Sequence, residues 1–359
     1  MAQGSFCDVH TAVAPWHKLD YDTRLPGAGQ FGTTYRCYGK LLLNEREQYG
    51  AVYSEGSAHW LYAGLADGSD AELKSPHPHL EPFLLDFDLL KIHPLEMDAG
   101  MSWISRYVED AEAVAQLGGP EGAQDRFTAA TIAFGHQGTF THRQFRGYST
   151  DIKTYYMIQP LQMRYAMRKA LAIRYRDMAS GNMLDASDAV RLGAYLDSQV
   201  HVRYQGDMEV WVNGSLDQEW LVQVGESSVR LPPSGFLARG PGGLDVYSAL
   251  TDSGRVDYAA CEGTRVVDAR GSRQVVGEFD TDGAAILKRN PQGDWQLWPL
   301  GDMTLLRVNL GALGLTGDVR VTAVDEDEQP VEDIEASVED GWLSVPLEEH
   351  VFRYRLVPA

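Results

Sequence analysis

Cysteine is nearly missing from this chain. Its 359 residues include three, Cys7, Cys37 and Cys261, too few and too scattered for a disulfide framework and at no spacing that suits zinc. Long apolar runs are lacking as well. No stretch approaches the ~20 residues that span a bilayer, and the N-terminus has neither the cationic start nor the apolar run of a signal peptide. A soluble chain is expected, with no membrane partner and its compartment left open. Positive charge is in deficit, with 31 Lys and Arg against 51 Asp and Glu and a formal charge of −20, which repels nucleic acid and anionic lipid at long range. Neutral ligands suit this balance better than phosphates. There is no GxGxxG after a strand, no phosphate-binding GKS or GKT and no GxSxG elbow, so dinucleotide, nucleotide and serine-hydrolase readings lose support. Internal repeats and low-complexity tracts are absent too.

The 44% share of hydrophobic residues is enough for packed cores, and the length exceeds that of one typical domain. Residues 1–178 alternate short apolar runs with helical patterns, which predicts repeated βα units. Strands are expected at "GSFCDVH", "AVYSEG", "PFLLDFDLLKIHPL" and "TAATIAFGHQG". Helices are expected at "TTYRCYGKLLLNEREQYG", stopping on Gly50, at "SWISRYVEDAEAVAQLGG", and over the long stretch from Asp151 to Met178, with Pro160 kinking it. Residues 179–195 read as a connection. From residue 196 the texture changes to short alternating strands between turn residues, with Asn213-Gly214 as a hairpin signal, which predicts antiparallel sandwich structure, split near residue 300. The expected fold is therefore α/β plus all-β: a partial (β/α) barrel followed by an antiparallel β-sandwich.

In parallel βα architectures reactive groups collect where strands end. The four expected strands of the first region end on Asp8 and His10, on Glu55, on His93 followed by Asp98, and on His136 and Gln137. Aromatic residues lie beside them, among them Trp16, Tyr53, Trp60, Tyr62 and Trp103. Carboxylates among aromatic platforms suit a carbohydrate, whose ring faces stack while its hydroxyls take hydrogen bonds. Asp8 and Glu55 come from successive strands, so their carboxyl groups can face one another. Glycosidic cleavage asks one carboxylate to attack or stabilise the anomeric carbon and a protonated partner to serve the leaving oxygen. The shorter Asp8 suits the first role and Glu55 the second; His10, Trp16, Tyr53, His59, Trp60, His93, Asp98, His136 and Gln137 would bind the sugar. No cofactor and no metal are required by this chemistry.

"FCDVHTAVAPW", "VYSEGSAHWLYAG" and "TIAFGHQGTF", then "YYMIQPLQMRY" and an all-β region with "VWVNGS", "LPPSGFLA" and "RVVDARG", resemble the later part of a large barrel-type glycoside hydrolase of the endo-α-N-acetylgalactosaminidase-like group. The resemblance implies a retaining enzyme with a nucleophile at Asp8, an acid/base at Glu55 and β-sandwich structure after the barrel. Such relatives are often exported. It also implies that the chain holds only part of a barrel, since eight strands close one. Self-association, or a second chain completing the barrel, is then an expected partner. The alternative is a non-catalytic carbohydrate-binding or interaction protein built on the same scaffold.

Plainer roles compete at each position. Asp8 could cap a loop or pair with Arg24 or Arg36, and Glu55 could be an N-terminal helix carboxylate. His93 could be a satisfied core histidine. His77 and His79 beside Glu81 fit an exposed proline-rich loop better than a metal site, and "DEDEQPVEDIEASVED" fits a solvated acidic face better than calcium. Tyr155, Tyr156, Met157 and Met163 are spaced for burial in a core.

Overall fold

The first strand, β1 (Gly4–Cys7), lies where the sequence puts it, and it leads into α1 (Phe31–Tyr49) and a parallel partner, β2 (Ala51–Glu55). The computed structural model describes residues 4–56, 58–70, 80–87, 110–136, 138, 148–166, 168–348 and 351–358. The chain divides into two units, residues 1–141 and 142–359. In the first, a third parallel strand, β3 (Gly68–Asp70), gives a sheet in the order β1-β2-β3. Strand alternation sorts its faces. Cys7 and Val52 are buried with Leu42 of α1 and with Tyr62, while Phe6, on the other face of β1, is largely exposed. Gly50 closes α1 with φ of 92°, a region that other residues avoid.

Two of the expected strands take other forms. Residues 82–95 do not supply the third strand within the described residues: Leu85–Phe87 is one turn of 3-10 helix, and positions from 88 on, His93 among them, lie outside those described. The run "TAATIAF" is helical. It belongs to α3 (Pro120–Phe134), which follows the short α2 (Ala111–Gln116). Every residue from Ala123 to Ala133 except Gln124, Asp125, Arg126, Thr128 and Thr131 is apolar, and even four of those polar ones are buried. A helix buried all round shows no polar period, so its apolar run imitates a buried strand. The boundary signals were nonetheless present: Pro120 in the first turn and Gly135 at φ 72° after the last. Arg126 is accommodated by a 2.8 Å bond to the Glu81 carbonyl and by stacking over Phe83, 4.1 Å from the ring centre.

The second unit opens with α4 (Tyr148–Tyr165), which contains Pro160 and ends thirteen positions before Met178. The remainder of the expected long helix, "ALAIRYR", is a strand (Ala170–Arg176) paired with Gln199–Tyr204. Its Ile173 and Tyr175 are buried and Arg174 between them is exposed, a period of two, while the exposed Leu171 sits at a shift of register. On α4, Met157 is core as expected, but Tyr155 and Met163 are exposed. The connecting segment holds a short helix, Ala186–Leu192, whose first turn is capped by Asp185 at 3.0 Å to the Asp188 N–H.

The strands of this unit form an antiparallel sheet of fifteen strands and a second sheet of five. The large sheet is continuous past residue 300, because Trp295–Leu300 pairs with both Ala284–Arg289 and Arg353–Pro358. Val276, Phe279, Leu306, Val308 and Leu343 of the small sheet share one core with Val256, Val267, Leu287, Leu297 and Leu356 of the large one. This face-to-face packing is sandwich-like. The fold is thus mixed, with few helices and many antiparallel strands, and no closed barrel forms among the described residues. Asn213-Gly214 is not a hairpin turn. Its strand, Met208–Asn213, pairs with Gln199–Tyr204 and Gly235–Gly240 and not with the next strand, Trp220–Val224. The buried Asn213 amide instead donates to the carbonyls of Gln218, Leu231 and Pro232 at 2.7, 3.0 and 2.9 Å.

A buried ion cluster fastens α4 to the sheet. Lys153 Nζ lies 3.1 Å from Asp257 Oδ2 and 2.7 Å from Asp268 Oδ2. Arg270 grips Asp257 at 2.8 Å, and Ser248 donates to its other oxygen at 2.5 Å. Burial favours the neutral acid, yet the charges of Arg270, Lys153 and Arg255 prevail and hold the Asp257 carboxyl far below the usual carboxylate range. Because the folded form binds its proton less readily, the stabilisation is complete above the ordinary Asp value and is lost as pH falls below about 4. Asp257→Ala would remove the buried acid that Arg270 and Lys153 share. It is expected to cost about 3–5 kcal/mol at neutral pH, read as a lower urea midpoint, with the gap to the unchanged protein narrowing in acid.

Candidate functional site

Within β1 and β2, Phe6 lies opposite Tyr53 and Cys7 opposite Ser54. Asp8, one residue past β1, therefore ends its strand beside Glu55, the last residue of β2. Asp70 of β3 is the register partner of Glu55. Three carboxylate residues close three neighbouring parallel strands at the same end. The sequence reading contained the first two and missed Asp70, since a three-residue strand in "ADGSD" is too short to display alternation and its composition is that of a turn.

Local hydrogen bonds hold this end of the sheet. Glu55 Oε2 accepts the Val9 N–H at 3.0 Å, the Glu55 carbonyl accepts the Thr11 hydroxyl, and the Ala58 N–H reaches the Thr11 carbonyl at 2.8 Å. One residue earlier on β2, the Ser54 hydroxyl donates to the Cys7 carbonyl at 2.7 Å. Val9 has φ of 66°, a left-handed conformation that is rare for a β-branched residue and costs on the order of 1–3 kcal/mol. Gly56, at φ 96°, packs against the same loop, and a Cβ there would lie 2.2 Å from Ala12 Cα. The loop after β1 is thereby held against the loop after β2.

Asp8 is exposed, and its carboxylate has no partner among the described residues; Arg24, one expected partner, pairs with Asp22 at 2.6 Å instead. His10 is half-buried, with Nδ1 2.7 Å from the Asp8 carbonyl oxygen and its ring edge-on to Tyr38. Glu55 is not an N-terminal helix carboxylate, because it ends a strand and the turn after it is a 3-10 segment, His59–Tyr62. Trp16 and Trp60 are about half exposed, at 48% and 53%, and Tyr53 is half-buried on the strand face that also carries Glu55. Tyr35 stacks on Tyr62, whose phenol is pushed up to about 12 by burial and then by Tyr38 and Tyr35, so it stays neutral.

The remaining residues behave differently. His136 does not end a strand; it follows the Gly135 stop of α3, is buried, and meets Phe134 edge-on at 5.9 Å. His93, Asp98 and Gln137 lie outside the described residues, as do His77 and His79. No group of three or more His, Cys, Asp and Glu among the described residues is arranged to hold a metal. What the arrangement offers is one open carboxylate, one tethered carboxylate and two exposed indoles, a combination able to transfer protons, attack an electrophilic carbon and stack a ring.

Gly56→Ala tests the coupling of the two loops. It is expected to push residues 8–12 off Glu55 and to speed deuterium exchange of the Val9 amide at least about tenfold, equivalent to ~1.4 kcal/mol of lost protection. Compared with known proteins, the chain matches no family model, no curated protein and no solved structure.

Proposed function

We propose that the chain is a retaining glycoside hydrolase whose first unit is a section of a (β/α) barrel, similar to the endo-α-N-acetylgalactosaminidase-like group. The observation that carries the reading is the adjacency of Asp8 and Glu55 at the ends of two parallel strands, linked through the Val9 N–H. The open Asp8 carboxylate attacks the anomeric carbon as the bond to the leaving oxygen breaks, and Glu55 gives that oxygen a proton. Glu55 then takes a proton from water, the water oxygen bonds to the anomeric carbon, and Asp8 is released. His10, Trp16, Tyr53, His59 and Trp60 would form the sugar subsite. A glycan is the substrate, and further βα units, from another copy or another chain, would complete the barrel.

A second reading is favoured by one observation. The parallel sheet has only three strands among the described residues, so the unit could hold sugar through exposed Trp16 and Trp60 without cleaving it.

The test is a screen of the purified chain on aryl α- and β-glycosides, with Asp8→Asn and Glu55→Gln run beside it. Turnover is expected to fall about 10²–10⁴-fold in each variant. Activity that survives both substitutions sinks the hydrolase assignment. Sugar binding without turnover, from a folded chain, that is lost in a Trp16→Ala, Trp60→Ala variant establishes the binding reading instead.

A further inference from the structure

The unit of residues 142–359 carries a polar cleft on the outer face of its large sheet. Across four strands, Gln296 lies opposite Arg355, Arg355 opposite Thr322, and Thr322 opposite Asp333. The alternate residues Leu297, Leu356 and Val321 are buried in the sandwich core. The polar row therefore faces away from the small sheet. Gln296, Thr322 and Arg355 of this row, together with Gln292, Glu328 and Arg353, line a cleft of about 320 Å³, at the small end of ligand pockets, which run from about 300 to 1,000 Å³.

Its charges are matched. Asp294 Oδ2 accepts from Arg355 Nε and NH2 at 2.9 and 2.6 Å, and Arg353, itself nearly buried, pairs with Glu328. Thr322 donates to Asp333 at 2.7 Å. An anion would have to displace a carboxylate from a guanidinium, and a cation the reverse, so neither gains from entering. A neutral polyol competes with neither pair: its hydroxyls accept from the remaining guanidinium N–H groups and donate to the carboxylate oxygens. The side-chain amides of Gln292 and Gln296 make no hydrogen bond to any described residue, so both offer a donor and an acceptor to a ligand. The ion pairs also hold the long side chains in place, which lowers the ordering cost of binding. Trp298, half-buried and two residues along the same strand face, lies under the Arg353 guanidinium at 5.8 Å and helps hold that side chain in place.

We infer that this cleft is a saccharide-binding site for one or two neutral sugar residues, with Gln292, Gln296 and Arg355 as hydrogen-bonding partners. It uses none of the residues of the β1–β3 strand ends and stands whether or not the hydrolase reading does.

The experiment is ligand-observed saturation-transfer NMR on the full chain. The probes are methyl β-galactoside, methyl β-glucoside, methyl α-mannoside, N-acetylglucosamine and maltotriose, with inorganic phosphate and sialic acid as anionic controls. In a chain whose turnover is silenced by Asp8→Asn and Glu55→Gln, at least one neutral sugar is expected to bind, and about three- to tenfold more weakly when Gln296→Ala or Arg355→Ala is added. Gln296→Ala removes only a half-exposed amide, so it reports on binding even if Arg355→Ala does not fold. The inference is overturned if no neutral sugar binds, if the anions bind and the sugars do not, if Gln296→Ala leaves binding unchanged, or if binding vanishes in the Asp8→Asn, Glu55→Gln variant.

Discussion

One buried carboxylate organises the second unit. Asp257 sits in the strand Gly254–Cys261, and its partners come from α4 (Lys153), from the neighbouring strand (Ser248) and from the turn after Thr264–Asp268 (Arg270). Arg255 joins by donating to Ser248 at 2.9 Å and then to the carbonyls of Pro233 and Ser234. A lone charge in that position would be expelled or neutralised. It remains ionised only because a helix, two strands and a turn deliver their cations and hydroxyl to the same point. The position of α4 on the sheet and the exit of the chain at Ala269 are thus parts of one electrostatic solution. Apolar packing in the sandwich core supplies the bulk of the driving force, and the ion cluster selects which packing is adopted.

How much of this could be read beforehand varied with the range of the interactions involved. α1 was legible because its apolar positions recur at helical spacing and Gly50 marks its end. β1 and β2 were legible because their apolar runs are short and bounded by polar residues. α3 was not, since a helix enclosed on all sides carries no amphipathic signal and only Pro120 and Gly135 distinguished it from a strand. The end of α4 was obscured differently: "ALAIRYR" alternates, but its apolar residues also continue the helical spacing of α4, and the choice is made by pairing with Gln199–Tyr204, a partner remote in sequence. Asn213-Gly214 shows the same override. Two residues suited to a tight turn are used as a buried amide clip because three carbonyls converge there.

The candidate site divides along the same line. Asp8 and Glu55 were accessible from the rule that strand ends gather reactive groups, a rule that needs only the strand positions. The tether between them was not, because it runs through the backbone of Val9 in a conformation that valine seldom adopts. Gly56 appears in the sequence as an ordinary loop glycine, yet the closeness of Ala12 leaves no room for any other residue. His136 was assigned through an error in its element: once "TAATIAF" is a helix, the histidine after it is a buried residue following a helix stop, and the reason for grouping it with the carboxylates disappears. An inference about a side chain inherits the reliability of the secondary structure beneath it.

Charge reaches further than fold in limiting the ligand. The chain has 31 cationic side chains against 51 carboxylates, and some of those cations are withdrawn from the surface: Arg126, Lys153 and Arg353 are buried, and Arg265, Arg270 and Arg307 are mostly covered and paired with acids. Carboxylates such as Glu326, Asp327, Asp333 and Glu339 are exposed. Anionic ligands meet a repulsive field on approach and, at the cleft of the large sheet, groups already engaged with one another. A sugar carries no charge to be repelled, offers a donor and an acceptor at every hydroxyl, and has an apolar face for an indole. The two proposals, for the β1–β3 strand ends and for the cleft, concern sites that share neither residues nor architecture, and both rest on that match between an uncharged ligand and the side chains present.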